Sequence, residues 1–245
     1  MNKPTLAIHK FSSCDGCQLA ILNLGETLLE LPKYVDIVHF IEAGPNNPDA
    51  QVDIALVEGS ISTPEDIERI KKIRENTQYL IAIGACATSG GIQALRNLAD
   101  TKDWVSAIYM RPDYISILEK SLSIQEVVKT DFELHGCPVN STQVVTALRS
   151  LLSGAKPVRE KQNVCVSCKQ MGIPCVMVTK NESCMGPVTQ AGCNALCPSV
   201  GRSCYGCYGR VDKIDINPLI ELFKHKGKSK TEINRKFNFI VSNKD

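Results

Sequence analysis

The sequence predicts an α/β fold, with an open parallel sheet covered by helices on both faces, followed by a small irregular unit rich in cysteine. Three observations lead to this prediction. Short apolar runs alternate with amphipathic helical runs over residues 1–154. This periodicity disappears after residue 163. Eight of the 12 cysteines then fall between Cys165 and Cys207.

The predicted strands are short runs of β-branched and apolar residues without polar alternation. Such runs are typical of parallel strands that are buried on both faces. The runs occupy residues 5–11, 35–41, 52–57 and 79–83, with residues 127–135 as a fifth candidate and residues 105–110 as another.

Helices are predicted between the strands. A Ser-Thr-Pro-Glu-Asp run opens one of them with a cap, a proline at the first helical position and acidic residues in the first turn. Isoleucine then recurs at helical spacing, with basic residues on the opposite face. The predicted helices occupy residues 17–31, 62–74 and 144–152, the first ended by Pro32 and the last by Gly154. This alternation predicts a flavodoxin-like doubly wound domain over residues 1–154.

A polar, proline-containing join at residues 155–163 leads into a predicted second domain, residues 164–245. Residues 164–210 combine frequent glycine and proline with little periodicity, so apolar burial alone would not fold them. Bound metal would supply the missing core, because metal binding in such a segment contributes folding free energy. Residues 215–224 and 231–239 are predicted as closing helices, the second capped by Thr231.

The charge and hydropathy of the chain exclude several classes of partner. The formal net charge of +2 gives no overall attraction to nucleic acid or to an anionic membrane. The basic run at residues 224–230 is interpreted as a solvated surface. No stretch approaches the roughly 20 apolar residues of a membrane span. The first residues contain neither a signal-length apolar run nor a twin arginine, so a cytoplasmic location is expected. In that reducing compartment, thiols serve as metal ligands or redox groups instead of disulfides.

The four cysteines of the first domain each follow a predicted strand: Cys14, Cys17, Cys86 and Cys137. Because the carboxyl ends of parallel strands meet at one edge of a sheet, we expect these thiols to converge. Cys-x-x-Cys after a strand is also the thioredoxin-type redox motif, but that interpretation leaves Cys86 and Cys137 without a role. Burial of these two as small hydrophobic residues is a further alternative.

The other eight cysteines form two groups of four. They read Cys165-x2-Cys168-x6-Cys175-x8-Cys184 and then Cys193-x3-Cys197-x6-Cys204-x2-Cys207. Twelve cysteines would supply the ligands of three [4Fe–4S] clusters. Four thiolates also suit zinc, so a non-redox scaffold with two structural zinc sites is the alternative. Neither group contains two Cys-x-x-Cys pairs, as a zinc ribbon does, and Cys197-Pro198 is typical of the end of a ferredoxin ligand run.

Jointly, these motifs resemble the small subunit of [NiFe] hydrogenases, nearest to the cytosolic, NAD(P)-linked group with the sulfhydrogenase delta subunit and its methanogen relatives. The resemblance covers nearly the whole chain. It is carried by Ser13-Cys14-Asp15-Gly16-Cys17-Gln18, Val57-Glu58-Gly59-Ser60, Gly84-Ala85-Cys86-Ala87-Thr88, Gly136-Cys137-Pro138, Pro174-Cys175 and, most specifically, residues 184–193.

The resemblance implies an electron-transfer subunit that is active only with a large subunit holding the nickel–iron site. It implies three [4Fe–4S] clusters: proximal at Cys14, Cys17, Cys86 and Cys137; distal at Cys165, Cys168, Cys175 and Cys184; medial at Cys193, Cys197, Cys204 and Cys207. The implied partners are flavin and iron–sulfur subunits that reduce NAD(P), with sulfur or polysulfide as a side acceptor. A deazaflavin-linked or heterodisulfide-reductase-linked hydrogenase is the alternative.

Three departures from periplasmic family members predict a low-potential relay. Cys165 stands where they have histidine, and an added thiolate lowers a cluster's potential. Cys197 replaces a proline found in many of them, which predicts four irons instead of three. Gly16 stands where oxygen-tolerant relatives carry an extra cysteine. The related cluster subunit of respiratory complex I is a further alternative. It resembles this chain less than the hydrogenase subunits do, since it uses adjacent cysteines for a single cluster and lacks an eight-cysteine tail.

Several other residues have weaker functional signals. Glu58 follows a strand near the proximal cysteines and suits partner contact, proton movement or a purely structural carboxylate. His135 lies two residues before Cys137 and either tunes the cluster by hydrogen bonding or simply packs. His9, His39 and His225 belong to no ligand pattern.

Overall fold

The computed structural model describes residues 3–240 of the 245-residue chain. The chain forms two compact units, Met1–Pro157 and Val158–Asp245, here called unit 1 and unit 2. The boundary between them falls within the polar join predicted at residues 155–163.

Unit 1 is built on a sheet of five parallel strands, counted over the described residues, in the order β2-β1-β3-β4-β5. This is the strand order of the flavodoxin-like doubly wound fold, so the predicted fold class is confirmed. Leu6 pairs with Ile54, and Ile83 pairs with Leu134. The strands are β1 Thr5–Lys10, β2 Asp36–Phe40, β3 Val52–Glu58, β4 Thr77–Ile83 and β5 Phe132–Leu134.

Helices cover both faces of this sheet. Helix α3 begins with the predicted cap: Thr63 accepts a hydrogen bond from the Asp66 amide, and the Asp66 carboxylate accepts one from the Thr63 amide. The helices of unit 1 are α1 Gly16–Leu22, α2 Glu26–Glu30, α3 Pro64–Glu75, α4 Gly84–Ser89, α5 Thr101–Ile108 and α6 Ser141–Leu152.

Three predicted elements differ from the structure. The helix predicted over residues 17–31 is divided into α1 and α2, because Gly25 has a φ of 60° that an α-helix does not allow. The strand considered at residues 105–110 is wrong, since Asp100 caps α5 through the Lys102 amide and the apolar run becomes helical. The fifth strand occupies only Phe132–Leu134 of the predicted residues 127–135.

The two faces of the sheet carry separate apolar cores because successive strand residues point to opposite sides. Leu6 and Ile8 of β1 pack with apolar residues of α1 and α6 on one face. Ala7 packs with Ile70 and Ile73 of α3 on the other. Both faces are buried, as expected for parallel strands without polar alternation.

Unit 2 contains only short helices before its two closing ones, in the part that is described. They are α7 Val164–Gln170, α8 Val176–Thr179, α9 Leu196–Ser199, α10 Asn217–His225 and α11 Lys230–Phe237. Phe223 of α10 and Phe237 of α11 pack with Val164 and with Cys184 and Cys204, so the cysteines belong to the core of this unit. The predicted cap Thr231 is wrong, because Ser229 accepts the hydrogen bond from the Glu232 amide instead.

Within the described residues, no helix has both the length and the apolar character needed to cross a membrane.

Candidate metal centres

The carboxyl edge of the sheet in unit 1 gathers the four cysteines that sequence reasoning placed there. Cys14 lies between β1 and α1, and Cys17 lies in the first turn of α1. Cys86 lies in the first turn of α4, directly after β4, and Cys137 follows β5. The Ala85 amide donates to the Gly136 carbonyl at 2.7 Å, which joins the residues after β4 to those after β5.

Two glycines leave room for the sulfur atoms at this edge. A Cβ atom at Gly84 would lie 2.3 Å from Cys17 Sγ, and one at Gly91 would lie 2.7 Å from Cys86 Sγ. Both glycines have positive φ, 83° and 59°, which disfavours a side chain as well. Any larger residue would displace these two thiols.

The thiols of unit 1 lie close enough to interact electrostatically. Burial, followed by the charges of Cys137, Cys14 and Glu58, raises the pKa of Cys86 to about 12. Burial and then the charges of Cys14 and Glu58 raise the pKa of Cys137. Burial and the Glu58 charge likewise raise the pKa of Cys17. Four thiolates this close repel one another, and a cationic metal centre would relieve that repulsion.

Glu58, the last residue of β3, is buried and holds the start of α1 in place. Its carboxylate accepts hydrogen bonds from the Cys17 amide at 3.0 Å and the Gln18 amide at 3.3 Å. These are main-chain donors of the first turn, which have no partner within the helix. The structural role considered for Glu58 is therefore present, since it fixes the backbone that carries Cys17.

Two further contacts to these sulfurs were not foreseen from the sequence. The Val139 amide donates to Cys17 Sγ at 3.4 Å, and Cys86 Sγ donates to Gln93 Oε1 at 3.2 Å. Gln93 lies in an irregular helical stretch after α4, and no motif marked it.

The three histidines of unit 1, His9, His39 and His135, are buried. His135 is buried, with Nε2 3.5 Å from a Glu133 carboxylate oxygen. The rings of His9 and His39 stack with centroids 4.7 Å apart beside a cavity of about 660 Å³.

In unit 2, the first four cysteines come together around α7 and α8. Cys165 and Cys168 are one turn apart on α7, and Cys175 is the N-cap residue of α8. Burial, followed by the charges of Cys184, Cys168 and Cys175, raises the pKa of Cys165 to about 11. A Cβ atom at Gly186 would lie 3.3 Å from Cys165 Sγ and 3.5 Å from Cys184 Sγ, so this glycine also makes room for sulfur.

Of the last four cysteines, Cys193 precedes α9, Cys197 lies in it, and Cys204 and Cys207 follow it. Burial raises the pKa of Cys197, with Cys193 as the next largest cause, while the nearby Arg202 opposes the shift. Burial raises the pKa of Cys204 to about 12, against hydrogen bonds with the Gly206 backbone and with Thr189, and the charges of Cys184 and Cys207 add to the rise.

Cys184 lies between the two groups of unit 2. Its sulfur accepts a hydrogen bond from the Cys204 amide at 3.2 Å, and its charge raises the pKa of Cys165, Cys168, Cys197 and Cys204. The two quartets are therefore neighbours, and their division at Cys184 and Cys193 stays a prediction.

Over residues 3–240, no group of three or more His, Cys, Asp and Glu side chains converges so that it could hold a single metal ion. The ligands of a cubane cluster bind different irons, so their sulfurs need not converge on one point. The donor set, all thiols and with glycines beside the sulfurs, fits iron–sulfur clusters.

Comparison with known proteins agrees with this chemistry. The family model "NADH ubiquinone oxidoreductase, 20 Kd subunit" matches residues 14–151. Sulfhydrogenase 2 subunit delta of Pyrococcus furiosus is 33% identical over 219 residues, covering 89% of this chain and 92% of the relative. The chain belongs to this oxidoreductase family, as a [NiFe] hydrogenase small subunit. The hydrogenase subunit predicted from the sequence is thereby confirmed, and with it the class of enzyme.

Subunits of other hydrogenases are also similar to this chain, in sequence or in fold. The F420-non-reducing hydrogenase of Methanocaldococcus jannaschii has a vhu subunit that is 32% identical over 242 residues, covering 85% of this chain and 84% of the relative. A solved NAD+-reducing [NiFe]-hydrogenase in the H2-reduced state superposes with a TM-score of 0.59 at 26% identity, covering 64% of this chain and 95% of that one. A [NiFeSe]-hydrogenase of Dm. baculatum, at 16% identity and a TM-score of 0.63, shares the fold over 88% of this chain and 97% of its own.

Proposed function

We propose that this small subunit is the electron relay of a soluble, cytoplasmic [NiFe] hydrogenase. Three [4Fe–4S] clusters would be bound by the cysteine quartets Cys14/Cys17/Cys86/Cys137, Cys165/Cys168/Cys175/Cys184 and Cys193/Cys197/Cys204/Cys207. The observation that carries the proposal is the convergence of four thiols from three strand ends at one edge of unit 1. When bound, each cluster takes up and releases one electron at a time, which suits a chain of charge transfer.

The residues of this chain would prepare those sites. Glu58 fixes the main chain at Cys17, and Gly84 and Gly91 keep the space beside Cys17 and Cys86 free. The Val139 amide donates to Cys17 Sγ, and a hydrogen bond of this kind stabilises negative charge on sulfur.

Hydrogen itself would react at a nickel–iron site in a separate large subunit. Electrons would continue to flavin and iron–sulfur subunits that reduce NAD(P), with sulfur or polysulfide as a further acceptor. The similarity to the sulfhydrogenase subunit and to the NAD+-reducing enzyme supports this route. The alternatives are a deazaflavin-linked and a heterodisulfide-reductase-linked enzyme. Similarity to a subunit of an F420-non-reducing hydrogenase favours the second over the first, because F420 is the deazaflavin and that relative is named for not reducing it.

Metal analysis of anaerobically purified protein tests the clusters. About 12 irons and a similar amount of acid-labile sulfide per chain are expected, with paramagnetic resonance signals after reduction. About two zincs per chain without iron would instead identify the zinc-stabilised scaffold.

Purification from the native cell tests the partners. A nickel-containing large subunit and a flavoprotein should co-purify with the chain. Recovery of the chain without either, while hydrogen uptake activity elutes in other fractions, would contradict the proposal.

A further inference from the structure

The two units differ strongly in charge, which the overall value of +2 conceals. Unit 1 has 14 Lys and Arg against 19 Asp and Glu, a net charge of −5. Unit 2 has 14 against 7, a net charge of +7. Its positive charge is concentrated in residues 224–236, which contain six Lys and Arg and one Glu.

Some of this charge surrounds an open cavity of about 380 Å³ in unit 2. Lys180, Lys228 and Lys236 line it, together with the carboxylates of Glu182 and Glu232. Glu232 is engaged in capping α11, where it accepts hydrogen bonds from the Ser229 amide and hydroxyl at 2.8 Å.

The lysines are held in place around this cavity. Lys180 Nζ donates to the Gly201 carbonyl at 2.6 Å. Lys236 Nζ donates to Ser203 Oγ at 3.2 Å and lies 5.0 Å from the centre of the Tyr205 ring. Lys228 Nζ lies 4.0 Å from a Glu232 carboxylate oxygen. The surface is thus a partly ordered arrangement of ammonium groups.

The cavity also lies beside cysteines of both quartets of unit 2. Its lining includes Ser183 and Ser203, which directly precede Cys184 and Cys204. Those two cysteines are joined by the hydrogen bond between the Cys204 amide and Cys184 Sγ. A partner seated on the lysines would therefore approach the proposed metal centres of this unit closely.

We propose that this lysine surface, comprising Lys180, Lys228, Lys236 and the basic residues of 224–230, docks a small acidic electron-carrier protein. The inference rests on the proposed relay function and names a protein that would exchange electrons directly with this subunit. Exchange would transfer one electron and no atoms, so the carrier is reduced when this chain is oxidised, and the reverse.

The extent of the charge favours a protein over a small anion. Lys224, Lys226 and Lys230 lie along the end of α10 and the start of α11, outside the lining of the cavity. Lys224 pairs with Glu221 at 2.8 Å, and Lys226 Nζ donates to the Met177 carbonyl and to Asn181 Oδ1, so their charge is held at this surface. A small anion would use only the cavity lysines. An extended field of one sign steers an oppositely charged protein and accelerates its association.

Binding can be measured without hydrogen turnover. The probe is a purified acidic ferredoxin, oxidised, titrated calorimetrically into the anaerobically purified complex at about 50 mM and about 300 mM salt. The test variant combines Lys228→Gln and Lys236→Gln. The control combines Lys161→Gln and Lys213→Gln, exposed lysines of the same unit outside the cavity. Both variants lose two charges, so a general effect of net charge is the same in each.

The expected result is binding that weakens at high salt and a dissociation constant raised about three- to tenfold in the test variant alone at low salt. Equal effects in both variants, absence of binding at low salt, or saturable binding of inorganic pyrophosphate without binding of ferredoxin would overturn the proposal. Iron analysis of the same samples separates failure of the docking proposal from failure of the proposed relay function. Full iron content without docking leaves the relay intact and rejects only this surface, whereas absence of iron rejects the relay.

Discussion

At the scale of single residues, Gly84 has the closest steric relation to a proposed ligand. It lies directly after β4 with a φ of 83°, and a Cβ atom there would lie 2.3 Å from Cys17 Sγ. We predict that Gly84→Ala displaces Cys17 and prevents one cluster from forming. Iron analysis should then show a loss of about four irons per chain.

Gly154 provides the matched control for this substitution. Its φ of 76° is similar, but nothing lies within 4 Å of a Cβ atom there. Gly154→Ala should therefore lower stability by about 1 kcal/mol through backbone strain and retain all its iron. If Gly84→Ala also kept its full iron content, the steric argument for the first site would fail.

His9 makes unit 1 sensitive to acid. Burial lowers its pKa from 6.5 to about 3, helped by the charges of His39 and Arg69 and opposed by Asp49. In the folded chain His9 stays neutral, whereas in the unfolded chain it takes up a proton below pH 6.5. Its contribution to stability is therefore complete above pH 6.5 and is lost progressively as the pH falls toward 3.

The replacement His9→Phe should reduce this acid sensitivity, because the ring remains and the proton-binding site is removed. Between pH 7.5 and 5.5 the parent should lose about 1 kcal/mol more than the variant, measured by urea denaturation. His225→Phe, at an exposed position on α10, should behave like the parent. An identical pH response in His9→Phe and the parent would show that His9 is not the responsible group.

At the scale of elements, the start of α11 distinguishes two serine and threonine positions. Ser229 caps the helix with Glu232, whereas Thr231 lies exposed inside the first turn. Ser229→Ala should lower the free energy of unfolding by about 1 kcal/mol, while Thr231→Ala should leave it nearly unchanged. Urea denaturation, monitored by circular dichroism, measures the free energy of unfolding of both variants. A larger loss at Thr231 would restore the cap predicted from the sequence.

This helix also illustrates what the sequence could predict. Both residues are good caps, and only the backbone conformation at Ser229 decides between them. The buried strands were predictable because parallel strands that are covered on both faces are apolar without polar alternation. The strand considered at residues 105–110 was wrong because a short apolar run fits a strand or a helix equally. The Asp100 cap at the start of α5 selects the helix.

The candidate site was predictable to the extent that its chemistry is carried by rare residues. The cysteines are recognisable by spacing, and their convergence in unit 1 follows from strand order. Gln93, Val139 and Arg202 act through contacts set by the folded chain, and their residue types are common everywhere in proteins. Sequence therefore indicates the ligands and leaves most of their surroundings unspecified.

At the scale of the whole molecule, the two units have opposite charge and separate cores, with a polar join between them. Arg159 and Lys161 lie in this join, and Lys161 is exposed. Lys156 precedes Pro157, which protects that bond from trypsin. Limited tryptic digestion should therefore cut first after Arg159 or Lys161.

The two fragments should then carry different amounts of metal. We predict about four irons on the fragment that contains Cys14, Cys17, Cys86 and Cys137 and about eight on the fragment with the other eight cysteines, measured after anaerobic digestion and mass spectrometry of the intact fragments. A variant combining Arg159→Gln and Lys161→Gln should resist cleavage and keep all its iron on one chain. An even division of iron between the fragments would contradict the assignment of one quartet to unit 1 and two to unit 2, since each quartet draws its thiols from within a single unit.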